Sequence, residues 1–322
     1  SKKHKTIGYD LNDKGIKELK IGFDSSNEIN KEQLITSQNI SFTSNEKLLA
    51  SANFYIITVP TPIYDNYKPN LENLMSATSI VANYISKDDI VVYESTVYPG
   101  CTEEECVPIL EKISGLTYNE DFYCGYSPER INPGDKKHTI DNIIKITSGS
   151  NNESSKIIDD VYSSIISAGT CLVKSIKIAE AVKVVENTQR YINISLMNEL
   201  AMMMDKMDIN TNDVLKAAKT KWNFLPFHPG LVGGHCIGVD PFYLLHKSEQ
   251  LGYRSEFISS GHSINNKLVD FIIDKIIETG INKKESSKIL FMGISFKENS
   301  SDIRNSRALV LLERLIQIEP NI

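Results

Sequence analysis

Short apolar runs alternate with longer mixed stretches along the first 175 residues. The runs are rich in β-branched and aromatic residues and predict strands at 5–9, 53–62, 89–96, 121–130, 143–149 and 169–175. Apolar residues at helical spacing predict helices between these strands, around Ile16 and Leu19 and at 71–85 and 156–166. Strands that alternate with helices form βαβ units, so we predict an α/β fold with a mostly parallel, Rossmann-like sheet.

A long stretch without Gly or Pro follows, at 176–207. As one helix it would be about 48 Å long, at ~1.5 Å per residue, and such a helix joins domains or forms a dimer seam. Met202–Met204 within it are interpreted as packing rather than as a ligand site. Two more helices are predicted at 211–218 and 265–278. From Lys288 the pattern reads as strand, loop and helix, the start of another α/β domain.

Composition narrows the class of protein. The 322 residues are 41% hydrophobic and 24% charged, which is typical of a soluble protein of two or three domains. A net charge of −6 argues against nucleic acid or an anionic membrane as partner. No apolar run approaches the ~20 residues that span a bilayer. Five scattered cysteines fit a reducing cytoplasm better than a disulfide framework.

Polar residues follow the predicted strands. In parallel sheets ligands bind beyond the carboxyl ends of the strands, where the sequence places Asp10, Thr61, Ser95, Thr96 and Glu129. An acidic residue after a strand is the usual partner of an NAD ribose, although Asp10 could equally be a turn or helix N-cap residue. The G-x-G-x-x-G phosphate loop expected about 20 residues earlier does not fit before Asp10. Either the first βα unit lies outside this chain or the domain is not a Rossmann domain, and the sequence favours the former. Because only about 35 residues follow from Lys288, we expect most of the C-terminal domain to lie outside this chain as well.

The stretch PGLVGGHCIGVDPFYL, residues 229–244, surrounds one cysteine with glycines and titratable side chains. His235 precedes Cys236, and Asp240 follows it by four residues. Glycines allow close approach of a ligand, and a thiolate in a polar setting is a nucleophile. A lone free cysteine is more often a small buried residue, so a reactive thiol and an inert core residue remain as two interpretations.

Lys183 and Asn187 are four residues apart in the long predicted helix, so they share one face. Lys183 has a simpler interpretation as a surface lysine whose stem covers apolar neighbours. If this face instead meets Cys236, a cation, an amide, a thiol and the Asp240 carboxylate converge. That set suits carbonyl chemistry. The spacing of Cys101 and Cys106 is poor for zinc, and the histidines show no ligand spacing, so we predict no metal.

Six motifs together identify a family. They are VPTP at 59–62, ESTVYPGCT at 94–102, SPERINPGD at 127–135, EAVKVVENT at 180–188, GGHCIGVDPFYL at 233–244 and FKENSSDIRNS at 296–306. In this order the chain resembles the UDP-glucose/GDP-mannose dehydrogenase family, the NAD-dependent nucleotide-sugar 6-dehydrogenases. The resemblance implies an NAD-binding domain at 1–175, a central helical domain with the cysteine loop and a dimer helix at 176–284, and the start of a UDP-binding domain at 285–322.

The resemblance also implies a mechanism. The C6 hydroxyl of a sugar is oxidised to a carboxylate with two NAD⁺, through a thiohemiacetal and a thioester on Cys236. Lys183 and Asn187 stabilise the oxyanion, and Asp240 takes part in proton transfer. Glu129 and Thr96 position or activate water. The implied NAD-binding residues are Asp10, Val59, Thr61, Ser95, Thr96 and Arg304. The implied substrate-binding residues are Glu129, Arg130, Lys183, Asn187, Phe227, Gly230, Gly233, Gly234 and Lys297, with Lys297 facing phosphate.

The substrate follows from a finer resemblance. Residues 220–244 are similar to the branch that acts on UDP-N-acetylhexosamines, since enzymes for UDP-glucose usually carry lysine where this chain has Val239. We expect UDP-GlcNAc as substrate, in a cytoplasmic homodimer that serves capsule or O-antigen synthesis, and the chain alone to be inactive. The alternatives are UDP-ManNAc, UDP-GalNAc or UDP-glucose as substrate, a two-electron hydroxyacid-type dehydrogenase, and a non-catalytic sugar-nucleotide-binding protein.

Overall fold

The computed structural model describes residues 3–25, 29, 31–37, 39–131, 137–279, 288–295 and 303–319. The chain divides into two compact units. The first comprises Ser1–Pro62 and Asn70–Lys183, and the second comprises Ile63–Pro69 and Val184–Ile322. Helix α6, Ile176–Lys206, begins within the first range and ends within the second. The division into three domains stays a prediction.

Parallel strands form the first unit. They are β1 Thr6–Tyr9, β2 Ile40–Thr43, β3 Phe54–Ile57, β4 Ile90–Tyr93, β5 Tyr123–Tyr126, β6 Lys145–Thr147 and β7 Thr170–Leu172. β1 pairs with β2, β4 lies between β3 and β5, and β6 pairs with β7, each pair parallel. The predicted α/β, Rossmann-like fold class is therefore confirmed.

Helices connect these strands. They are α1 Asp13–Lys20, α2 Lys31–Thr36, α3 Glu72–Ala82, α4 Val107–Ser114 and α5 Asn152–Ser163, with a 3₁₀ helix at Glu46–Ser51 and a π turn at Thr102–Cys106. All four residues of β4 are buried, as expected for a parallel strand covered on both faces. Ile90 and Val92 of β4 pack against Ile158 and Tyr162 of α5. This packing fixes the strands whose ends carry the predicted polar residues.

The secondary-structure elements in the described part of the second unit are helices: the rest of α6, α7 Thr211–Ala218, α8 Asp240–Gln250, α9 Glu256–Glu278 and α10 Arg307–Ile318. Val269 and Ile273 of α9 form a buried cluster with Leu311 and Leu315 of α10. Within the described ranges, no helix is long and apolar enough to cross a membrane.

One predicted strand is wrong. Residues 288–295 form neither strand nor helix. Ile289 and Phe291 instead pack on the α9–α10 cluster, so burial against helices, not pairing with a strand, accounts for this apolar run. The sequence pattern also missed β2, α2, α4 and α8, whereas α7 and α10 lie where helices were predicted.

Candidate functional site

The ends of β3 and β4 are cross-linked by side chains of the predicted NAD site. Thr61 Oγ1 donates to Thr96 O at 2.6 Å, and Ser95 Oγ donates to Val59 O at 2.7 Å. The loops after the two strands are thus held side by side, as a ligand site at the carboxyl edge of a parallel sheet requires.

Asp10 directly follows β1 and is exposed. Its Oδ1 accepts from Asn12 N at 2.8 Å, so the turn interpretation is realised, while the N-cap of α1 is Asn12. An exposed carboxylate at this edge still fits the hydroxyls of an NAD ribose, because a carboxylate has several acceptor positions. The first unit therefore fits the cofactor.

Lys183 and Glu129 are brought together in the first unit. Lys183 is 8% exposed, and its Nζ donates to Glu129 O at 2.6 Å, so the surface interpretation of Lys183 is wrong. The carboxylate Oε1 of Glu129 accepts from Ile131 N at 2.6 Å. Arg130, the residue between Glu129 and Ile131, donates from its guanidinium to Ile144 O at 2.8 Å and so anchors the segment that carries Glu129.

Glu180 was missed, although it lies in the quoted motif EAVKVVENT. It is fully buried near the start of α6, and its carboxylate accepts from the backbone N–H groups of Gly100 and Thr102, the latter at 2.9 Å. Through these two bonds Glu180 holds the segment that follows β4, and this segment also contains Thr96. Burial raises the pKa of Glu180 to about 7, although the two backbone donors oppose this shift.

The pKa of Glu180 predicts a pH-dependent stability. The folded pKa, about 7, lies above the ordinary 4.5, so the folded state binds more protons between these values and unfolding becomes easier as pH rises. Relative to Glu180→Gln, the unfolding free energy of the wild type should fall by about 2–3 kcal/mol from pH 5 to pH 8. Urea unfolding at pH 5 and pH 8 measures the unfolding free energy of both proteins. Subtracting the two values at each pH removes the pH effects that the wild type and Glu180→Gln share. A difference that stays constant would contradict the prediction.

Cys236 lies in the second unit, at the entrance to α8. Its thiol is half-buried, unlike the fully buried Cys101, Cys106 and Cys124, and its Sγ is 3.3 Å from His235 Nδ1. Cys236 O accepts from Val239 N at 3.0 Å and from Asp240 N at 2.8 Å, which closes the loop onto the first turn of the helix. These contacts favour the reactive interpretation, because an imidazole beside a thiol can take its proton.

Asp240 and Asn187 are also brought together. Asp240 begins α8 and is 1% exposed. Asn187, which lies in α6, is 8% exposed, and its Nδ2 donates to Asp240 Oδ2 at 2.5 Å. The amino end of a helix stabilises a carboxylate, so this buried acid has both a hydrogen-bond donor and a favourable helix dipole.

Hydrogen bonds that were not predicted from the sequence attach the cysteine loop to α6. The side chain of Asn198, fully buried, accepts from Gly230 N at 2.8 Å and donates to Gly230 O at 3.0 Å. Asn265 of α9 accepts from Asn198 Nδ2 at 2.8 Å and donates to Ser195 Oγ at 2.9 Å. Asparagines at buried positions of an apolar helix were the only sequence signal for this role.

Two predicted substrate glycines pack on the turn at 303–306. A Cβ on Gly233 would lie 2.6 Å from Asn305 O, and Gly234, at φ +88°, donates its N–H to the same oxygen at 3.2 Å. This contact brings the cysteine loop beside the segment of Arg304, which is itself exposed. Phe227 is half-buried, Gly230 is exposed, and Lys297 lies outside the described residues.

The glycines supply a matched pair of substitutions. Gly233→Ala should destabilise the protein by about 2 kcal/mol, because the new methyl group meets a backbone oxygen that cannot rotate away. Gly230→Ala should leave thermal stability unchanged, since no atom lies within 4 Å of its added Cβ. Thermal unfolding of the two variants tests this, and equal losses would be the contrary result.

The predicted catalytic residues thus form two sets. Lys183, Glu129 and Thr96 belong to the first unit, and Asn187, Cys236 and Asp240 to the second. The contacts given above for each set lie within one unit. Among the described helices and strands, only α6 carries residues of both sets, namely Lys183 and Asn187.

Known proteins resemble this chain over nearly its whole length. The UDP-N-acetyl-D-glucosamine 6-dehydrogenase of Salmonella typhi is 53% identical over 98% of this chain and 75% of that protein. Protein CapL of Staphylococcus aureus is 51% identical over 99% of this chain and 76% of that protein. The structure of a UDP-D-ManNAc dehydrogenase from Pyrococcus horikoshii superimposes with a TM-score of 0.87 at 27% identity, over 98% of this chain and 76% of that one.

Family models give the same assignment. The NAD binding domain of the UDP-glucose/GDP-mannose dehydrogenase family matches residues 1–166, and the central domain of this family matches residues 177–267. Together with the parallel sheet and the cysteine loop, these matches show that the chain belongs to the UDP-glucose/GDP-mannose dehydrogenase family and is an NAD-dependent dehydrogenase.

Proposed function

We propose that this protein oxidises the C6 hydroxyl of a UDP-N-acetylhexosamine, UDP-GlcNAc first, to the corresponding uronic acid. Relatives at 53% and 48% identity bear the name UDP-N-acetyl-D-glucosamine 6-dehydrogenase, whereas UDP-N-acetyl-D-mannosamine dehydrogenases are about 30% identical. The observation that carries the proposal is the half-buried thiol of Cys236 beside His235, because a four-electron oxidation needs a nucleophile that a two-electron one does not.

Cys236 is proposed to hold the aldehyde. Its Sγ forms a bond to the C6 carbon, and the carbonyl oxygen becomes the oxyanion of a thiohemiacetal. The ammonium of Lys183 and the amide of Asn187 stabilise that charge, and Asp240, which accepts from Asn187, receives or returns the proton. NAD⁺, when bound, supplies the hydride acceptor for each oxidation.

Glu129 and Thr96 are proposed to direct water at the thioester. The water oxygen bonds to the acyl carbon, its proton passes to the Glu129 carboxylate, and the C–S bond breaks with the electron pair returning to sulfur as thiolate. Main-chain hydrogen bonds support both residues: Lys183 holds Glu129 O, and Thr61 holds Thr96 O. A base fixed through its backbone can present its carboxylate to water in one orientation.

Binding roles complete the proposal. Asp10, Val59, Thr61, Ser95, Thr96 and Arg304 would contact NAD. Glu129, Arg130, Lys183, Asn187, Phe227, Gly230, Gly233, Gly234 and Lys297 would contact the UDP-sugar. We further propose a cytoplasmic homodimer with α6 at its interface, for capsule or O-antigen synthesis. Support for the interface comes from apolar side chains of α6 that are about half exposed, namely Val185 at 52%, Leu196 at 47% and Met203 at 45%.

Turnover of four sugar nucleotides tests the function. The whole protein, purified as its gene encodes it, is given NAD⁺ with UDP-GlcNAc, UDP-GalNAc, UDP-ManNAc or UDP-glucose, and NADH and uronic acid are both quantified. We expect two NADH per uronic acid, with the largest kcat/KM for UDP-GlcNAc. One NADH per sugar without uronic acid would favour a two-electron dehydrogenase, and binding without NADH would favour a sugar-nucleotide-binding protein.

A further inference from the structure

A buried charge network lies beside Glu129 in the first unit. Lys145, the first residue of β6, is 4% exposed, and its Nζ lies 2.7 Å from Glu94 Oε2 and 3.7 Å from Glu129 Oε2. Tyr162 OH donates to the other oxygen of Glu94, and the ammonium lies 5.4 Å from the centre of the Tyr162 ring. One ammonium therefore serves two carboxylates.

The two carboxylates are not equivalent. The Glu94 side chain is 11% exposed, and both of its oxygens are engaged, one by Lys145 and one by Tyr162. The Glu129 side chain is 43% exposed, and its Oε2 faces the ammonium at a distance too long for a direct hydrogen bond. Glu94 is thus the counter-ion that allows Lys145 to be buried, whereas Glu129 feels the same charge while remaining open to solvent.

We propose that Lys145 is a positioning residue for the reaction, whose ammonium holds the Glu129 carboxylate in the orientation that receives the proton of water. Glu94 and Tyr162 hold that ammonium in place. The inference rests on the proposed function, because it concerns the carboxylate assigned to receive the proton of water. It adds a buried cation that none of the six sequence motifs contains.

The charges around Glu129 explain why Lys145 matters. Besides Lys145, the charged or titratable groups that the described residues place at this segment are Glu94 after β4, Tyr162 of α5, Arg130 beside Glu129, and Lys183 of α6, which bonds to the main-chain oxygen. Burial raises the pKa of Tyr162 well above its usual value, so its hydroxyl stays neutral. Without Lys145, the Glu129 carboxylate would lose the ammonium beside its Oε2 and keep the negative charge of Glu94. The attraction that orients the carboxylate would then be gone, while the repulsion by Glu94 would remain.

Steady-state kinetics test the proposal. For Lys145→Met we expect kcat to fall about tenfold with KM for UDP-GlcNAc within about threefold, because the carboxylate is misaligned for water while the sugar nucleotide still binds. Lys145→Arg should restore most of the activity, because a guanidinium returns the charge and its several donors can serve two carboxylates. Lys177→Met is the control, since Lys177 is a largely exposed lysine paired with Glu104, and its kcat should not change.

Two further measurements cover a variant that folds poorly or a protein that does not turn over. The double variant Glu94→Gln with Lys145→Met removes both buried charges together, so it should fold and still show the lowered kcat. In protein without substrate, crystal structures of the wild type and of the double variant compare the Glu129 carboxylate, which should keep a single orientation only in the wild type.

An unchanged orientation of the Glu129 carboxylate in the double variant, or a lowered kcat of Lys145→Met that arginine does not rescue, would overturn the role of Lys145. A wild type that forms no NADH from any UDP-sugar would instead overturn the proposed function. In that case the comparison of crystal structures still decides whether Lys145 orients Glu129.

Discussion

Cys236→Ser should lower the rate of uronic acid formation by about 10³-fold or more. A serine hydroxyl is a much weaker nucleophile than a thiolate, and the sequence GGHCIG of the half-buried loop contains no second thiol and no hydroxyl that could replace it. Without the covalent bond the aldehyde is not held for the second oxidation. We therefore expect NADH to stop at one equivalent per sugar or to form very slowly.

Steady-state NADH formation and intact-protein mass spectrometry measure this effect. The wild type mixed with substrate should show an adduct on Cys236, and the serine variant should show none. Cys171→Ser is the matched control, because Cys171 is also a free thiol but lies exposed in β7. Uronic acid formed by Cys236→Ser at the wild-type rate would remove the covalent step and favour a two-electron dehydrogenase.

Lys183→Met should lower kcat by about 10²-fold to 10³-fold, the usual cost of removing one donor to an oxyanion. Lys183 is 8% exposed and its Nζ donates to Glu129 O, so the variant loses both a cation and the anchor of Glu129. Arginine should not restore activity, because the Lys183 ammonium is a point charge that bonds one main-chain oxygen, and a planar guanidinium holds its donors in a different geometry.

Lys177→Met is the control on the same helix. Lys177 is paired with Glu104 at 3.7 Å, and both side chains are largely exposed, 56% and 42%, so the pair contributes little. Urea unfolding separates a loss of fold from a loss of chemistry. Equal kcat values for the two variants, with both folded, would exclude a catalytic role for Lys183.

The local pattern of apolar and helix-breaking residues was sufficient to predict secondary structure where that structure depends mainly on neighbouring residues. Helix α6 ends one residue from its predicted boundary, because an apolar-rich stretch without Gly or Pro has few other stable conformations in a folded chain. The strand at Lys288 failed because a strand also needs a partner, and apolar residues such as Ile289 and Phe291 can be buried against helices instead.

The sequence by itself determined the α/β class and the long helix and supplied the residues proposed to carry the chemistry, because these depend on periodicity, on helix-breaking residues and on motifs of consecutive positions. Tertiary structure alone decided which of these residues are buried and what each one contacts. Lys183 meets Glu129 across 54 positions, Glu180 meets Gly100 across 80, and Lys145 meets Glu94 across 51. Such pairs form only when folding removes polar groups from water and requires each to find a partner, a condition that no short stretch of sequence specifies.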